Sequence, residues 1–187
     1  MYRQVQGGSG EVPSNDVVKL VATNHIIFYT EVTRKSIANL QEIFLELVHG
    51  SHHPPTVIHV HLFSTGGCAY SGMCAYDIIR SCPIPVHTWV EGRVCSAATC
   101  LSIAGTRRNM MRNAGFMTHQ ISTAFSGNLD ALEVDLRNTK TLTKQYVMMY
   151  TQATGLSIEV VKNLVKDDLH LTAEECLRHG FIHEIQD

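Results

Sequence analysis

The fold is decided by the stretch Val57-Ile58-His59-Val60-His61-Leu62-Phe63, which runs directly into Ser64-Thr65-Gly66-Gly67. A short run rich in β-branched residues favours a strand, and the paired glycines predict a turn where that strand ends. On both sides of this stretch, similar strand-like runs alternate with patterns of helical periodicity. Such alternation is typical of an α/β fold with a mostly parallel sheet.

The other predicted elements extend this plan along the chain. Upstream lie strands at Val17 to Leu20 and His25 to Tyr29, then a helix capped by Thr33 that ends at Gly50. Downstream lie a helix from Gly72 to Ile79, a strand from Val86 to Val90, an apolar helix from Ser96 to Ala104, and strands at Met110 to Arg112 and Phe116 to Thr118. A long helix from about residue 129 to 153 is closed by Gly155, and Ser157 and Thr172 cap two more helices. Because the helix from Ser96 to Ala104 is apolar on nearly every side, we expect it to run through the core.

Length and composition bound the organisation of the chain. It has 187 residues, of which 44% are hydrophobic and 17% are charged. This length predicts one domain over residues 1–187, with residues 1–16 as a flexible N-terminal segment. The charged share lies well below the ~25% of an average soluble domain. Copies of the chain covering part of the surface would explain so little charge, and we therefore expect a homo-oligomer.

Charge and hydropathy argue against two classes of partner. The formal net charge is −2, and the densest basic cluster is Arg107-Arg108, so we expect no nucleic acid partner. No apolar run approaches the ~18 residues of a membrane span, and we expect a soluble, cytoplasmic protein with no membrane partner. The six cysteines contain no C-x-x-C pair and lie in apolar surroundings, which is typical of reduced, packed thiols.

Ser96 is the candidate nucleophile. Sites in parallel α/β sheets form where strands end and helices begin, which singles out the turn at Gly66-Gly67 and the turn that contains Ser96. Ser96 lies at the first turn of the predicted buried helix, where free N–H groups and the helix dipole stabilise negative charge. On position alone, a simple helix N-cap is the commoner role for such a serine.

A nucleophilic serine needs a base, and His119 at the end of the strand from Phe116 to Thr118 is a candidate. The chain has eleven histidines, so the residues alone leave this choice open. Asp168, just before a capped helix, is a candidate for the carboxylate that orients the base, and Asp167 is its immediate rival. His59 and His61 share one face of a strand, which suggests a metal pair, but they lack a third ligand close by in the sequence.

Several short motifs resemble, in order and spacing, those of the Clp protease proteolytic subunit family. They are Ile26-Ile27-Phe28-Tyr29, Ser64-Thr65-Gly66-Gly67, Ser71-Gly72-Met73-Cys74-Ala75-Tyr76-Asp77, Gly92-Arg93-Val94-Cys95-Ser96-Ala97-Ala98, Met117-Thr118-His119-Gln120 and Leu171-Thr172-Ala173-Glu174-Glu175. The similarity covers about residues 24–186. It implies an α/β, crotonase-like fold in which β-β-α repeats build a core sheet and a handle region, at about residues 121–155, protrudes from it.

The resemblance also implies a site. Ser96 would be the nucleophile, His119 the general base and Asp168, in preference to Asp167, the carboxylate that orients it. The backbone N–H groups of Gly67 and Ala97 would form the oxyanion hole. No metal and no organic cofactor are implied.

The family's activity and assembly give the expected function. The chain is expected to be a serine endopeptidase that cuts unfolded proteins or short peptides, in a chamber formed by heptameric rings that stack into a tetradecamer, with an AAA+ ATPase unfoldase as partner. Some positions depart from the family pattern, among them Asp167, where an arginine is usual, and His59 and His61, where aromatic residues are usual. These departures favour the alternative of a weakly active or inactive scaffold subunit that assembles with active relatives or another partner. A thioesterase or hydratase on the related crotonase fold is a third possibility, but such sites do not need this Ser, His, Asp order.

Overall fold

The computed structural model describes residues 17–50 and 52–187. The predicted flexible segment at residues 1–16 lies outside the described residues. The elements are β1 (Val17–Ala22), β2 (His25–Tyr29), α1 (Arg34–His49), β3 (Ile58–Ser64), α2 (Ala69–Ser81), β4 (Val86–Cys95), α3 (Ala98–Ala104), β5 (Arg107–Met111), β6 (Gly115–Thr118), α4 (Leu129–Thr154), α5 (Ile158–Leu164), β7 (Leu169–Leu171), α6 (Ala173–Arg178) and β8 (Glu184–Gln186).

The strands form one sheet, in the order β1-β2-β3-β4-β5-β8, with β6 paired to β4 and β7 paired to β6. The central pairs from β2 to β5 are parallel, as are β5 with β8 and β4 with β6. The pairs β1 with β2 and β6 with β7 are antiparallel. The predicted α/β fold with a mostly parallel sheet is therefore confirmed.

Strand β4 is longer than predicted, and its additional residues lead directly to the turn that contains Ser96. The sequence pattern predicted an end at Val90, but the strand continues to Cys95. Its first half pairs with β3 and β5, and its last residues pair with β6. The turn that follows Cys95 is therefore held between the ends of β3 and β6.

Helix α3 runs through the core as predicted, since each of its residues from Ala98 to Ala104 is buried. It begins two residues later than predicted, because Ser96 has a φ of +53° and stands ahead of the helix in the left-handed region. A residue in that region cannot belong to a right-handed helix. Ala97, and not Ser96, occupies the N-cap position.

The helix caps at Thr33, Ser157 and Thr172 are also confirmed. Thr33 and Ser36 form a reciprocal capping box, as do Thr172 and Glu175, while Ser157 accepts from the backbone of Val160. Each such cap satisfies N–H groups that would otherwise lack a partner, and is worth about 1 kcal/mol.

Helix α4 is buried only in its second half. Tyr146 and Tyr150 are almost fully buried, whereas Leu129, Val134 and Leu136 in the first half are exposed by 70%, 45% and 49%. The helix therefore packs on the body of the protein only from Leu142 onward. The first half of the helix projects as the predicted handle.

Candidate active site

The site is built where the turns after β3 and β4 meet. Gly66 has a φ of +98°, and a Cβ placed on it would lie 2.6 Å from the carbonyl oxygen of Cys95 and 2.7 Å from the Cβ of Ser96. Only glycine allows both this backbone conformation and this approach. The two turns are therefore fixed against each other, and Gly67 is placed beside Ser96.

Gly67 is held from its other side by Val32. The Val32 N–H donates to the carbonyl of Gly66 at 2.8 Å, and the Cys68 N–H donates to the carbonyl of Val32 at 2.8 Å. Neither of these two bonds involves the N–H of Gly67. Across residues 17–50 and 52–187, neither the Gly67 N–H nor the Ala97 N–H donates to a protein acceptor.

The structure brings Ser96 and His119 together. The Oγ of Ser96 lies 2.7 Å from the Nε2 of His119, a hydrogen-bonding distance. Ser96 is also anchored through its backbone, since its N–H donates to the carbonyl of Met117 at 2.9 Å. Both side chains are half-buried. A serine bonded in this way to an imidazole has the geometry of a nucleophile with its base.

The register of β6 and β7 relates the two candidate aspartates to His119. In the antiparallel pair of β6 and β7, Thr118 stands opposite Leu169. If this register continues by one residue, His119 stands opposite Asp168, and Asp167 falls opposite Gln120. Within the described part of the chain, neither aspartate forms a hydrogen bond or ion pair with His119, and both are exposed. The sequence pattern missed β7, which supplies this register.

A cleft of about 250 Å³ opens beside these groups. Its walls include Gly67, Ser96, Ala97, His119 and Tyr146. The Ser96–His119 pair and the two residues with unengaged N–H groups therefore line one open space. A peptide carbonyl could enter that space.

The cleft also contains Cys68, which sequence reasoning did not assign to a site. Its side chain is exposed, and hydrogen bonds from Ser71 lower the pKa of its thiol. By contrast, burial raises the pKa of the Cys176 thiol to about 12. No disulfide is formed by the cysteines among the described residues.

His59 and His61 belong to a larger aromatic cluster on the sheet face opposite the core. The Nδ1 of His61 lies 2.6 Å from Oε1 of Glu91, and its Nε2 lies 2.9 Å from Nδ1 of His25. Trp89 donates to Nδ1 of His59 at 3.0 Å. Burial, followed by the neighbouring histidines, lowers the pKa of His59 to about 4. Among residues 17–50 and 52–187, no three or more His, Cys, Asp or Glu side chains are arranged to hold a metal ion.

Beneath Ser96, a group of buried hydroxyls was also missed by the sequence patterns. The hydroxyls of Thr99, Tyr146 and Tyr150 contact one another, and those of Thr99 and Tyr146 also reach the carbonyl oxygen of Ser96. The tyrosines stand one helical turn apart on α4, a spacing that predicts an apolar face but says nothing of their hydroxyl partners. In the sequence, the only indication of this hydroxyl group is therefore a pair of tyrosines at helical spacing.

The chain is similar over most of its length to known proteins. The family model for Clp protease matches residues 9–187. An ATP-dependent Clp protease proteolytic subunit from Deinococcus radiodurans is 30% identical over 184 residues, which are 97% of this chain and 89% of that protein. Among solved structures, a ClpP1 point mutant from Listeria monocytogenes superimposes with a TM-score of 0.79 at 22% identity, over 88% of this chain and 92% of that one. Across the described residues, none of the helices combines the length and apolar character that a membrane crossing requires.

Proposed function

Because the chain belongs to the Clp protease family, we propose that it is a serine endopeptidase that cuts unfolded proteins or short peptides. The observation that carries this proposal is the 2.7 Å hydrogen bond between Ser96 Oγ and His119 Nε2, beside the unengaged N–H groups of Gly67 and Ala97. These are the groups that acyl transfer needs: a nucleophile, a base and donors for an oxyanion.

The reaction proceeds in two halves on these atoms. In the first half, His119 Nε2 takes the proton of Ser96 Oγ as that oxygen attacks the carbonyl carbon of the scissile peptide. The N–H groups of Gly67 and Ala97 bind the resulting oxyanion. The tetrahedral intermediate collapses, His119 gives the proton to the leaving nitrogen, and the acyl group remains on Ser96.

In the second half, His119 takes a proton from a water molecule that attacks the acyl carbon. Collapse of the second tetrahedral intermediate releases the acid product and returns the proton to Ser96 Oγ. No cofactor enters this sequence of steps. In this proposal Asp168 orients the imidazole and stabilises its charged form, which requires its exposed side chain to bond Nδ1 of His119.

The assembly proposed for the chain rests on its projecting helix. We propose one peptidase domain whose handle, at about residues 121–155, joins heptameric rings into a tetradecamer. The exposed apolar side chains on the first half of α4 support this, because an interface between copies would cover them. The relative from Deinococcus radiodurans is named as a subunit of an ATP-dependent protease, and we extend to this chain a partnership with an AAA+ unfoldase. The cytoplasmic location stays a prediction.

One experiment tests the activity. The full chain is assayed with a fluorogenic peptide, alongside Ser96→Ala and the control Ser102→Ala, and the native mass of each protein is measured. Ser102 is a good control because it lies on helix α3, which follows Ser96 directly, and is buried. Its hydroxyl has no hydrogen-bond partner among the described residues. We expect Ser96→Ala to abolish cleavage and Ser102→Ala to retain it. Cleavage that persists in Ser96→Ala would contradict the proposal.

The scaffold alternative is favoured by one observation, the absence of a hydrogen bond or ion pair between His119 and Asp168 within the described residues. The same experiment separates the two functions. A native mass equal to that of a ring, with no cleavage by the unmodified chain, would establish the scaffold. Cleavage that depends on Ser96 would exclude it.

A further inference from the structure

We infer that the hydroxyls of Thr99, Tyr150 and Tyr146 form a hydrogen-bonded chain that positions the Ser96–Ala97 peptide, and through it the Ala97 N–H of the oxyanion hole. These are positioning residues, because they act on the peptide and touch neither substrate nor the reacting atoms. The inference rests on the proposed function. Beyond that function, we infer that helix α4, which is distant in sequence from Ser96, fixes the orientation of the Ala97 N–H.

The contacts begin at the carbonyl oxygen of Ser96. This oxygen accepts from the backbone N–H of Thr99 at 3.0 Å and from the Thr99 hydroxyl in a short contact. The Tyr146 hydroxyl lies 3.5 Å from the same oxygen. Behind Thr99, its hydroxyl contacts that of Tyr150, which lies 2.9 Å from the hydroxyl of Tyr146.

The direction of the chain follows from counting hydrogens, once the short contact assigns the Thr99 hydrogen to the Ser96 carbonyl, which Tyr146 approaches only to 3.5 Å. A carbonyl oxygen only accepts, and each hydroxyl has one hydrogen to donate. Thr99 therefore gives its hydrogen to Ser96 and accepts from Tyr150. Tyr150 in turn accepts from Tyr146. Successive donors polarise one another, so the bond that reaches Ser96 is stronger than an isolated one.

Burial keeps this chain in place. Thr99 and Tyr150 are fully buried and Tyr146 is 4% exposed. Burial raises the pKa of both tyrosines, so each keeps its hydrogen at neutral pH. A buried hydroxyl without a partner would cost about 1 to 3 kcal/mol, which favours the bonded arrangement.

The geometry of the peptide transfers this order to Ala97. In a trans peptide the C=O and the following N–H point in opposite directions, and no cis bond occurs in the described residues. Holding the Ser96 carbonyl toward the buried hydroxyls therefore turns the Ala97 N–H away from them, toward the cleft. Ser96 also has a left-handed φ of +53°, which is costly for a non-glycine residue. The bonds to its carbonyl counteract that cost.

The test compares Thr99→Val with the control Thr88→Val. Both threonines are fully buried. The Thr88 hydroxyl donates at 2.7 Å to the carbonyl of Ser102, which lies on α3 as Thr99 does. Each variant removes one buried hydroxyl group, but only that of Thr99 acts on the Ser96–Ala97 peptide. A purely structural role would lower thermal stability in both and leave the kinetics of the folded protein alike.

The readouts are kcat and KM for a peptide, measured on protein of confirmed native mass, and the affinity of a peptide boronate. The boronate forms a tetrahedral adduct whose oxygen occupies the oxyanion hole, so its affinity follows transition-state binding. For Thr99→Val we expect kcat and boronate affinity to fall by about 10- to 100-fold, with KM within about threefold of its value in the unmodified chain. This loss is smaller than the roughly 100- to 1,000-fold loss that follows the removal of an oxyanion-hole donor. Tyr150→Phe is expected to show the same pattern at smaller size. Equal kcat in Thr99→Val, Thr88→Val and the unmodified chain would overturn the inference.

Failure of the proposed function gives a different result. If the unmodified chain neither cleaves the peptide nor binds the boronate, the proposed peptidase is wrong. Crystal structures of the unmodified chain and Thr99→Val then decide the inference. A changed orientation of the Ser96–Ala97 peptide in Thr99→Val supports it, and an unchanged orientation overturns it.

Discussion

Replacement of Gly66 by alanine tests how tightly the two turns of the site depend on each other. The new Cβ would lie 2.6 Å from the Cys95 carbonyl oxygen and 2.7 Å from the Cβ of Ser96. The first distance is about 0.8 Å short of the 3.4 Å at which ordinary van der Waals contact begins. One neighbour is backbone and the other is the nucleophile's own Cβ, so relief of the clash displaces the nucleophile turn.

A displacement of this size sets the expected loss of activity. Misplacing a reacting group by about 1 Å costs on the order of 100-fold in rate. We therefore expect Gly66→Ala to lower kcat by about 100-fold. The backbone strain at a φ of +98° adds on the order of 1 to 3 kcal/mol of lost stability.

Gly155→Ala is the matched control. Gly155 also has a positive φ, of +76°, but a Cβ there would meet nothing within 4 Å. This variant carries the backbone strain without the clash, at about 1 kcal/mol. The assays are fluorogenic peptide cleavage and thermal unfolding of all three proteins. If Gly66→Ala kept more than a third of the kcat of Gly155→Ala, the proposed coupling between the turns would be refuted.

Individual side chains supply three further tests. Asp168→Asn is expected to lower kcat by about 100-fold or more, because the β6–β7 register, continued one residue beyond Thr118 and Leu169, sets Asp168 and not Asp167 opposite His119; an equal effect of Asp167→Asn in the peptide assay would contradict this. The pKa of His59 falls from 6.5 to about 4 on folding, so the unfolded chain takes up its proton first. As the pH falls through that window, the free energy of unfolding from urea titrations should drop, and it should drop less in His59→Phe. Because the ring is partly exposed and solvent screens its charge, we expect a drop on the order of 1 kcal/mol rather than the full linkage value. Hydrogen bonds from Ser71 lower the pKa of the exposed Cys68 thiol, so iodoacetamide should modify it faster than the exposed Cys74 at pH 7, and equal rates by mass spectrometry would count against the assignment.

The sheet could be predicted from local patterns because its signals are local. The run from Val57 to Phe63 forms β3 with a shift of one residue, and the capping pattern that begins at Thr172 forms the predicted capping box. β-branched runs and side-chain caps act between residues that are close in the sequence. The short strand β7, from Leu169 to Leu171, escaped because three residues carry no readable periodicity.

The geometry of the site could not be predicted in the same way. Ser96 stands outside the helix with a left-handed φ, and its turn packs against Gly66, thirty residues earlier. The hydroxyl of Thr99 finds Tyr146 and Tyr150 at separations of 47 and 51 residues. These contacts depend on tertiary packing, which overrides local propensity. The residue types of the site could be read from the sequence, but which of them are in contact depends on the tertiary fold.

The nucleophilic character of Ser96 is tested most directly by covalent labelling. The full chain is treated at neutral pH with a fluorophosphonate probe, and the adduct is located by mass spectrometry. We expect one adduct per chain, on Ser96, which is absent in Ser96→Ala and much slower to form in His119→Ala. An assembled chain that forms no adduct on Ser96 would contradict the account.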